Sequence, residues 1–403
     1  MNRTILAAVT ALAYAAALTG VVAEAPASRP YRFSGGISID YTDNRDSVDT
    51  GKTDCFDFTM WVGAYLHLEH ETSYSLTLGY SPSVRYRTDV SPFQNTTEVY
   101  HDLKLDGWYR PSRIVRLHLT EAFNRTDDPA VDSGGGTVRR DASFIINRAG
   151  AGVEADLSRR LRADLSGYSM IKRYSDGVFA TSGDEDSTMG TASIAWIPDR
   201  MSALALYGSY GTFGYPGDSA GRDRGFDSVE AGLSYQRMLS KKFFAKADLA
   251  VKTLDYNTSA LGSDQSPSGR LALNFTASSR LRFTGAGGYV LRDSDLQYFA
   301  SQRYTDLSLR GEWDALVPKR LTVGVAGGYR IGDYRSGSFL DAYRTADSVT
   351  SGKEKTAILS ADLTYRLKER FSVSAVAQYE DVSTDLSTPF DRMSAGIRTR
   401  VDF

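Results

Sequence analysis

Histidine and carboxylate lie closest together in "HLEHE" (67–71). A metal site needs convergent ligands held by further hydrogen bonds. Here period-2 spacing sends His67 and Glu69 to one face and leaves His70 and Glu71 in a turn, so a solvated turn is the better reading. The acidic run "SGDEDS" (182–187) could hold a divalent cation among lipopolysaccharide phosphates, yet it reads more simply as an acidic loop. HExxH and a phosphate-binding glycine loop are lacking, and "YGSYG" does not have the spacing of a nucleophile elbow. The chain therefore reads as a non-enzyme with no catalytic, metal or cofactor-binding residue.

Other charged residues recur at every second position. Arg85, Asp102, Lys104 and Arg116 belong to this set, followed by Arg162, Asp164 and Arg270. Arg310, Glu312, Asp362, Arg366 and Arg398 complete it. Their neighbours are apolar: Arg310 and Glu312 alternate with Leu309 and Trp313, and Asp362 with Leu363. Such residues are pore-lining candidates, because facing charges of both signs set a field across a channel and fix what passes. The alternative is a wall whose charges only pair with one another. Trp61, Tyr65, Tyr100, Trp108 and Tyr168 share the charged face, where they could contact a sugar or simply pack.

The elements that must position these side chains are strands. In "LVPKRLTVGVAGGY" (316–329), Leu321, Val323, Val325 and Tyr329 alternate with Thr322, Gly324, Ala326 and Gly328. A turn of the same kind recurs in "RPSRIVRLHL" (110–119), "LSRRLRADL" (157–165), "IPDRMSALAL" (197–206), "LSKKFFAKADL" (239–249) and "LKERFSVSA" (367–375). Between these short turns lie longer stretches rich in Asp, Ser, Gly and Thr, including 127–141, 257–269 and 336–354. Short and long connections alternate along the chain, as in a transmembrane barrel with short periplasmic turns and long outer loops. Segments this long do not fit the four strands per repeat of a propeller blade.

Strand starts are expected near residues 31, 56, 74, 98, 114, 142, 160, 188 and 202. The rest fall near 226, 242, 269, 281, 304, 321, 356, 371 and 391. The expected fold is all-β: one up-and-down antiparallel transmembrane barrel of about 18 strands, with sixteen as the alternative because "SALALYGSYGTF" alternates poorly. A soluble sandwich would share the alternation but not the pattern of connections. Aromatic residues cluster at strand ends: Trp108, Trp196, Tyr235, Trp313 and Tyr365 near the short turns, and Tyr80, Tyr174, Tyr210, Tyr256, Tyr329 and Tyr379 toward the long loops. Two such belts mark the two membrane interfaces.

The N-terminal "MNRTILAAVTALAYAAALTGVVAEA" has Arg3, an apolar run from Ile5 to Val22 and small residues at Ala23 and Ala25, the layout of a secretory signal peptide over 1–25. The barrel is then expected over 26–403, in the outer membrane of a Gram-negative bacterium. One cysteine among 403 residues precludes an internal disulfide framework, and a net charge of −2 gives no reason to expect nucleic acid. The ending "MSAGIRTRVDF" resembles the C-terminal strand of outer-membrane proteins, whose terminal aromatic residue is read by the barrel assembly machinery; Phe403 would be that signal. Outer-membrane lipid and lipopolysaccharide are the other expected partners.

Residues 76–129 carry Tyr80-Ser81-Pro82, Tyr86, Asn95 before His101, "PSRIVRLHL" and Asp127-Asp128-Pro129. This region resembles the β-barrel porins encoded with exopolysaccharide export systems. The resemblance implies an outer-membrane barrel, a conduit for secreted polysaccharide, and polysaccharide export proteins as partners. The leading functional expectation is a channel for hydrophilic solutes or secreted polysaccharide, with 336–354 the candidate for a loop folded into the lumen. A structural or adhesive barrel that presents its loops is the alternative. A barrel-bound lipid hydrolase ranks below both: His67 and His118 are expected inside, His101 near the lipid face and His70 in a turn, and no serine can be assigned to any of them.

Overall fold

The computed structural model describes residues 30–45, 49–70, 72–90, 95–127, 143–177, 180, 183–217, 223–258, 261–294, 301–315, 320–335, 351–385 and 389–403. The expected signal peptide (1–25), the turn residues 316–319 and most of 336–354 lie outside them, as does part of "SGDEDS".

Nearly everything described is strand. β1 (Tyr31–Thr42), β2 (Cys55–His70), β3 (Tyr74–Tyr80), β4 (Ser83–Arg87) and β5 (Thr97–Tyr109) come first. β6 (Val115–Thr126), β7 (Phe144–Ser158), β8 (Leu161–Tyr174), β9 (Glu185–Asp199) and β10 (Ser202–Gly214) follow. Next are β11 (Phe226–Ser240), β12 (Phe243–Tyr256), β13 (Ser263–Thr276), β14 (Leu281–Asp293) and β15 (Ser301–Asp314). β16 (Leu321–Arg335), β17 (Ser351–Lys368), β18 (Phe371–Thr384) and β19 (Phe390–Asp402) end the series.

Each strand pairs antiparallel with its neighbours in sequence, and β1 pairs with β19 from Ser34↔Asp402 to Thr42↔Ser394, so the sheet closes. β3 and β4 are two halves of one stave. Both lie between β2 and β5, and the pairing offset is the same on either side of Ser81-Pro82: Tyr80 faces Ala64 and Leu103, while Ser83 faces Trp61 and Tyr100. Pro82 has no N–H to give, which interrupts the ladder without shifting it. The barrel therefore has 18 strands.

The recurrent turn has a common cause. In four of the turns a serine Oγ accepts the backbone N–H two residues ahead: Ser112 from Ile114 (3.4 Å), and Ser158, Ser240 and Ser278 from Arg160, Lys242 and Arg280 (each 3.2 Å). Asp199 does the same for Met201 at 2.7 Å. A short polar side chain thus satisfies a backbone group that the tight turn takes out of the ladder.

The outer face carries the apolar residues. Leu165, Leu206, Leu249, Leu307 and Leu309 are each more than 60% exposed, and an apolar band this extensive is stable only against lipid. Trp196, Tyr235 and Trp313 border it on the short-turn side; Tyr80, Tyr210, Tyr329 and Tyr379 border it on the loop side.

Several boundaries differ from the sequence reading. β13 starts at Ser263 rather than near 269, because Pro267 is tolerated in a strand paired on one side only there. β17 starts at Ser351 rather than near 356, and β10 is regular despite its poor alternation. Trp108 is no belt residue: it faces inside, with the Arg116 guanidinium 5.3 Å from its ring. Tyr174 and Tyr256 are also buried inside, in two small apolar clusters at the barrel mouth.

Candidate functional site

Most of the wall charges expected from the sequence lie on the inner face in pairs. Arg85 meets Asp127 at 3.0 Å, Lys104 meets Asp102 at 3.1 Å, and Arg398 meets Asp40 at 3.4 Å. Arg116 and Arg162 share Glu154, each at 3.5 Å, and Arg162 also binds Asp156 at 2.8 Å. Arg366 stands opposite Ser372. Asp164 lines a niche of about 500 Å³ with His118, Glu154 and Arg148.

Arg310 reaches across a strand. From β15 it contacts Glu312 at 3.0 Å and crosses over β16 to Asp362 on β17 at 2.8 Å. The strand it crosses presents Gly324, where a Cβ would collide with both the Asp362 carboxylate and the Arg310 guanidinium. The small residues on the second face of β16 make room for this strap.

A larger cavity of about 880 Å³ lies on the β7–β15 side of the interior. Among the described residues seven basic ones line it, Arg148, Lys172, Arg224, Lys246, Lys252, Arg270 and Arg292, against four acidic ones, Glu185, Asp248, Asp293 and Asp306. Four of the cations sit over rings: Arg148 over Tyr168 (3.7 Å), Arg292 over Tyr304 (3.9 Å), Arg224 over Tyr215 (4.3 Å) and Lys172 over Tyr174 (5.3 Å). A ring face directs a cation without cancelling its charge. Lys246 is paired with Asp248 at 3.5 Å, whereas Arg148, Lys252 and Arg270 form no ion pair among the described residues. Arg270 has room because Gly288 faces it: a Cβ there would stand 3.2 Å from the arginine Cγ.

The loop ends close this cavity from the outer side. Tyr215, just past β10, donates its hydroxyl proton to Asp293 at the end of β14. Burial, then the Asp293 charge, push the Tyr215 hydroxyl well above its ordinary range, so it remains a donor at neutral pH. Phe213 and Phe226 stack beneath at 4.5 Å. Among the described residues, the inward-folded segments are thus the ends of the 215–225 and 176–184 connections. The 336–354 loop named from the sequence lies mainly outside them.

No family model matches the chain, and no curated protein does either. Among solved structures, the outer membrane protein OpdK from Pseudomonas aeruginosa superposes with a TM-score of 0.52 at 12% identity, over 93% of this chain and 99% of that one. OpdK with vanillate gives 0.51 at 12%, over 93% and 99%. OccK2 (OpdF) of the same organism in complex with glucuronate gives 0.51 at 14%, over 93% and 98%. This chain has the porin-barrel fold.

In this barrel the sequence reading missed Arg148, Lys246, Lys252 and Arg292 as lining residues. The alternation could have found three of them, since Arg148 shares its face with Glu154, and Lys246 and Lys252 share theirs with Asp248. Tyr215 and Arg224 carry no such signal, because a loop has no period to read.

Proposed function

We propose that this protein is a channel for small hydrophilic solutes and that its interior favours solutes bearing a carboxylate. The observation that carries this reading is the 880 Å³ cavity with its excess of basic side chains among the described residues, of which Arg148, Lys252 and Arg270 form no ion pair there. A carboxylate entering it exchanges water for guanidinium donors, which match its geometry in bidentate fashion. The neighbours solved with vanillate and glucuronate were solved with carboxylates of this size class. Passage of secreted polysaccharide rests only on the resemblance of residues 76–129, and a mouth narrowed by inward-folded segments suits a small solute better than a hydrated polymer.

The test is conduction by the purified protein in planar bilayers, with reversal potentials measured in asymmetric salt. The expected result is an anion-preferring pore whose current is reduced by millimolar glucuronate. A barrel that conducts nothing would leave the loop-presenting structural role in its place.

A further inference from the structure

One seam of the barrel opens early. The β12–β13 ladder runs the full length of both strands, up to Asp255↔Ser263, and the β14–β15 ladder runs up to Asp293↔Ser301. The β13–β14 ladder between them stops at Gly269↔Tyr289. Above that rung, Ser263–Ser268 on one strand and Val290–Asp293 on the other form no backbone pairs with each other. Pro267 lies in this stretch, and lacking an N–H it cannot donate to a partner strand.

The two free edges do not gape; they overlap. By alternation Tyr289, Leu291 and Arg303 share the face of Leu307 and Leu309, which is the lipid face lower down. Yet Leu291 has no exposed surface and packs on Phe226, Leu254 and Tyr256, all of them inner-face residues. The Ser266 hydroxyl bonds the Tyr289 hydroxyl at 3.3 Å. Asp264 accepts from Ser301 at 2.6 Å and from Arg303 at 3.2 Å. The inner face of β13 thus covers the outer face of the β14–β15 arm. The opposite face of that arm presents Arg292 and Tyr304 to the cavity.

We propose that this overlapped seam is a slip joint that sets the width of the constriction. Where a ladder is continuous, widening breaks backbone hydrogen bonds one rung after another. Here the arm made by Val290–Asp293 and Ser301–Tyr304 is held to β13 by side chains alone, so it slides and carries Arg292 across the cavity mouth. Asp264 ties β13 itself to the arm, because it engages both Ser301 and Arg303. The role in permeation rests on the channel reading above, whereas the sliding itself does not.

Two measurements test it, both in a Cys55→Ser background. In the first, Leu291→Cys is labelled with a maleimide with and without Asp264→Ala. The expected result is labelling at least about ten-fold faster when the tie is removed, because local opening now exposes the site. Asp402→Ala, which removes an ion pair to Arg32 far from the seam, should leave the rate unchanged. In the second, Asp264→Cys and Ser301→Cys are combined and single-channel currents are compared oxidised and reduced. Oxidation should abolish transitions between conductance levels, and reductant should restore them. Equal labelling in all variants, or currents indifferent to oxidation in a conducting barrel, would overturn the slip joint. If no variant conducts, the channel reading falls while the labelling still decides whether the seam moves.

Discussion

At the scale of single residues, the inner wall divides its charges into two kinds. Arg398 and Arg310 face carboxylates within 3.4 Å, so their fields are largely spent locally. Arg148 and Arg270 stand in the cavity without such partners. Fixed charges bias permeation in proportion to how little they are neutralised. Arg148→Glu or Arg270→Glu should therefore move the reversal potential toward cation preference clearly more than Arg398→Glu does. Equal shifts at all three positions would mean that pairing is irrelevant to selectivity.

At the scale of strands, the lipid face makes the sharper prediction. Leu363 of β17 points outward and its neighbour Thr364 inward, where its hydroxyl meets Ser374 at 2.9 Å. An arginine in place of Leu363 should cost about 2–4 kcal/mol near the bilayer midplane, and much less at Thr364. Urea unfolding of the barrel in lipid vesicles measures both. The same asymmetry explains why the strands were legible in the sequence. Lipid favours regular alternation, so the starts of β1, β3, β11, β14, β16 and β18 fall where the pattern places them. Above the bilayer that constraint ends. Leu291 alternates like a lipid-facing residue but lies buried against Phe226, Leu254 and Tyr256, and Asp264 sits in what reads as a Ser/Gly/Pro loop. The candidate cavity was half legible for the same reason: its strand residues follow the period, while Tyr215 and Arg224 reach it from loops.

At the scale of the whole molecule, closure depends on the last strand. β19 pairs with both β18 and β1, and the Phe403 N–H adds a bond to the Phe33 carbonyl at 2.8 Å. Loss of that aromatic residue would remove one backbone bond but also the expected assembly signal. We predict that deleting Phe403 lowers the amount of heat-modifiable barrel in the outer membrane far more than it lowers the stability of refolded protein. Normal assembly of the shortened chain would show that the terminal aromatic residue is not read. Comparing the two quantities separates recognition from strength, since a single hydrogen bond contributes only about 1 kcal/mol.

The strap over Gly324 has a consequence for how this chain can vary. On the outer side of β16, Val325 meets only fluid acyl chains, which adapt to a side chain of almost any size. On the inner side, at Gly324, Arg310 and Asp362 close over the backbone and leave no space for even a methyl group. Saturation mutagenesis along β16 should therefore invert the pattern familiar from water-soluble proteins. The large apolar Val325 should exchange freely with Leu, Ile or Phe. The smallest residue beside it should admit Ala only by displacing the tips of Arg310 and Asp362, which loosens the ion pair that bridges two strands not otherwise joined.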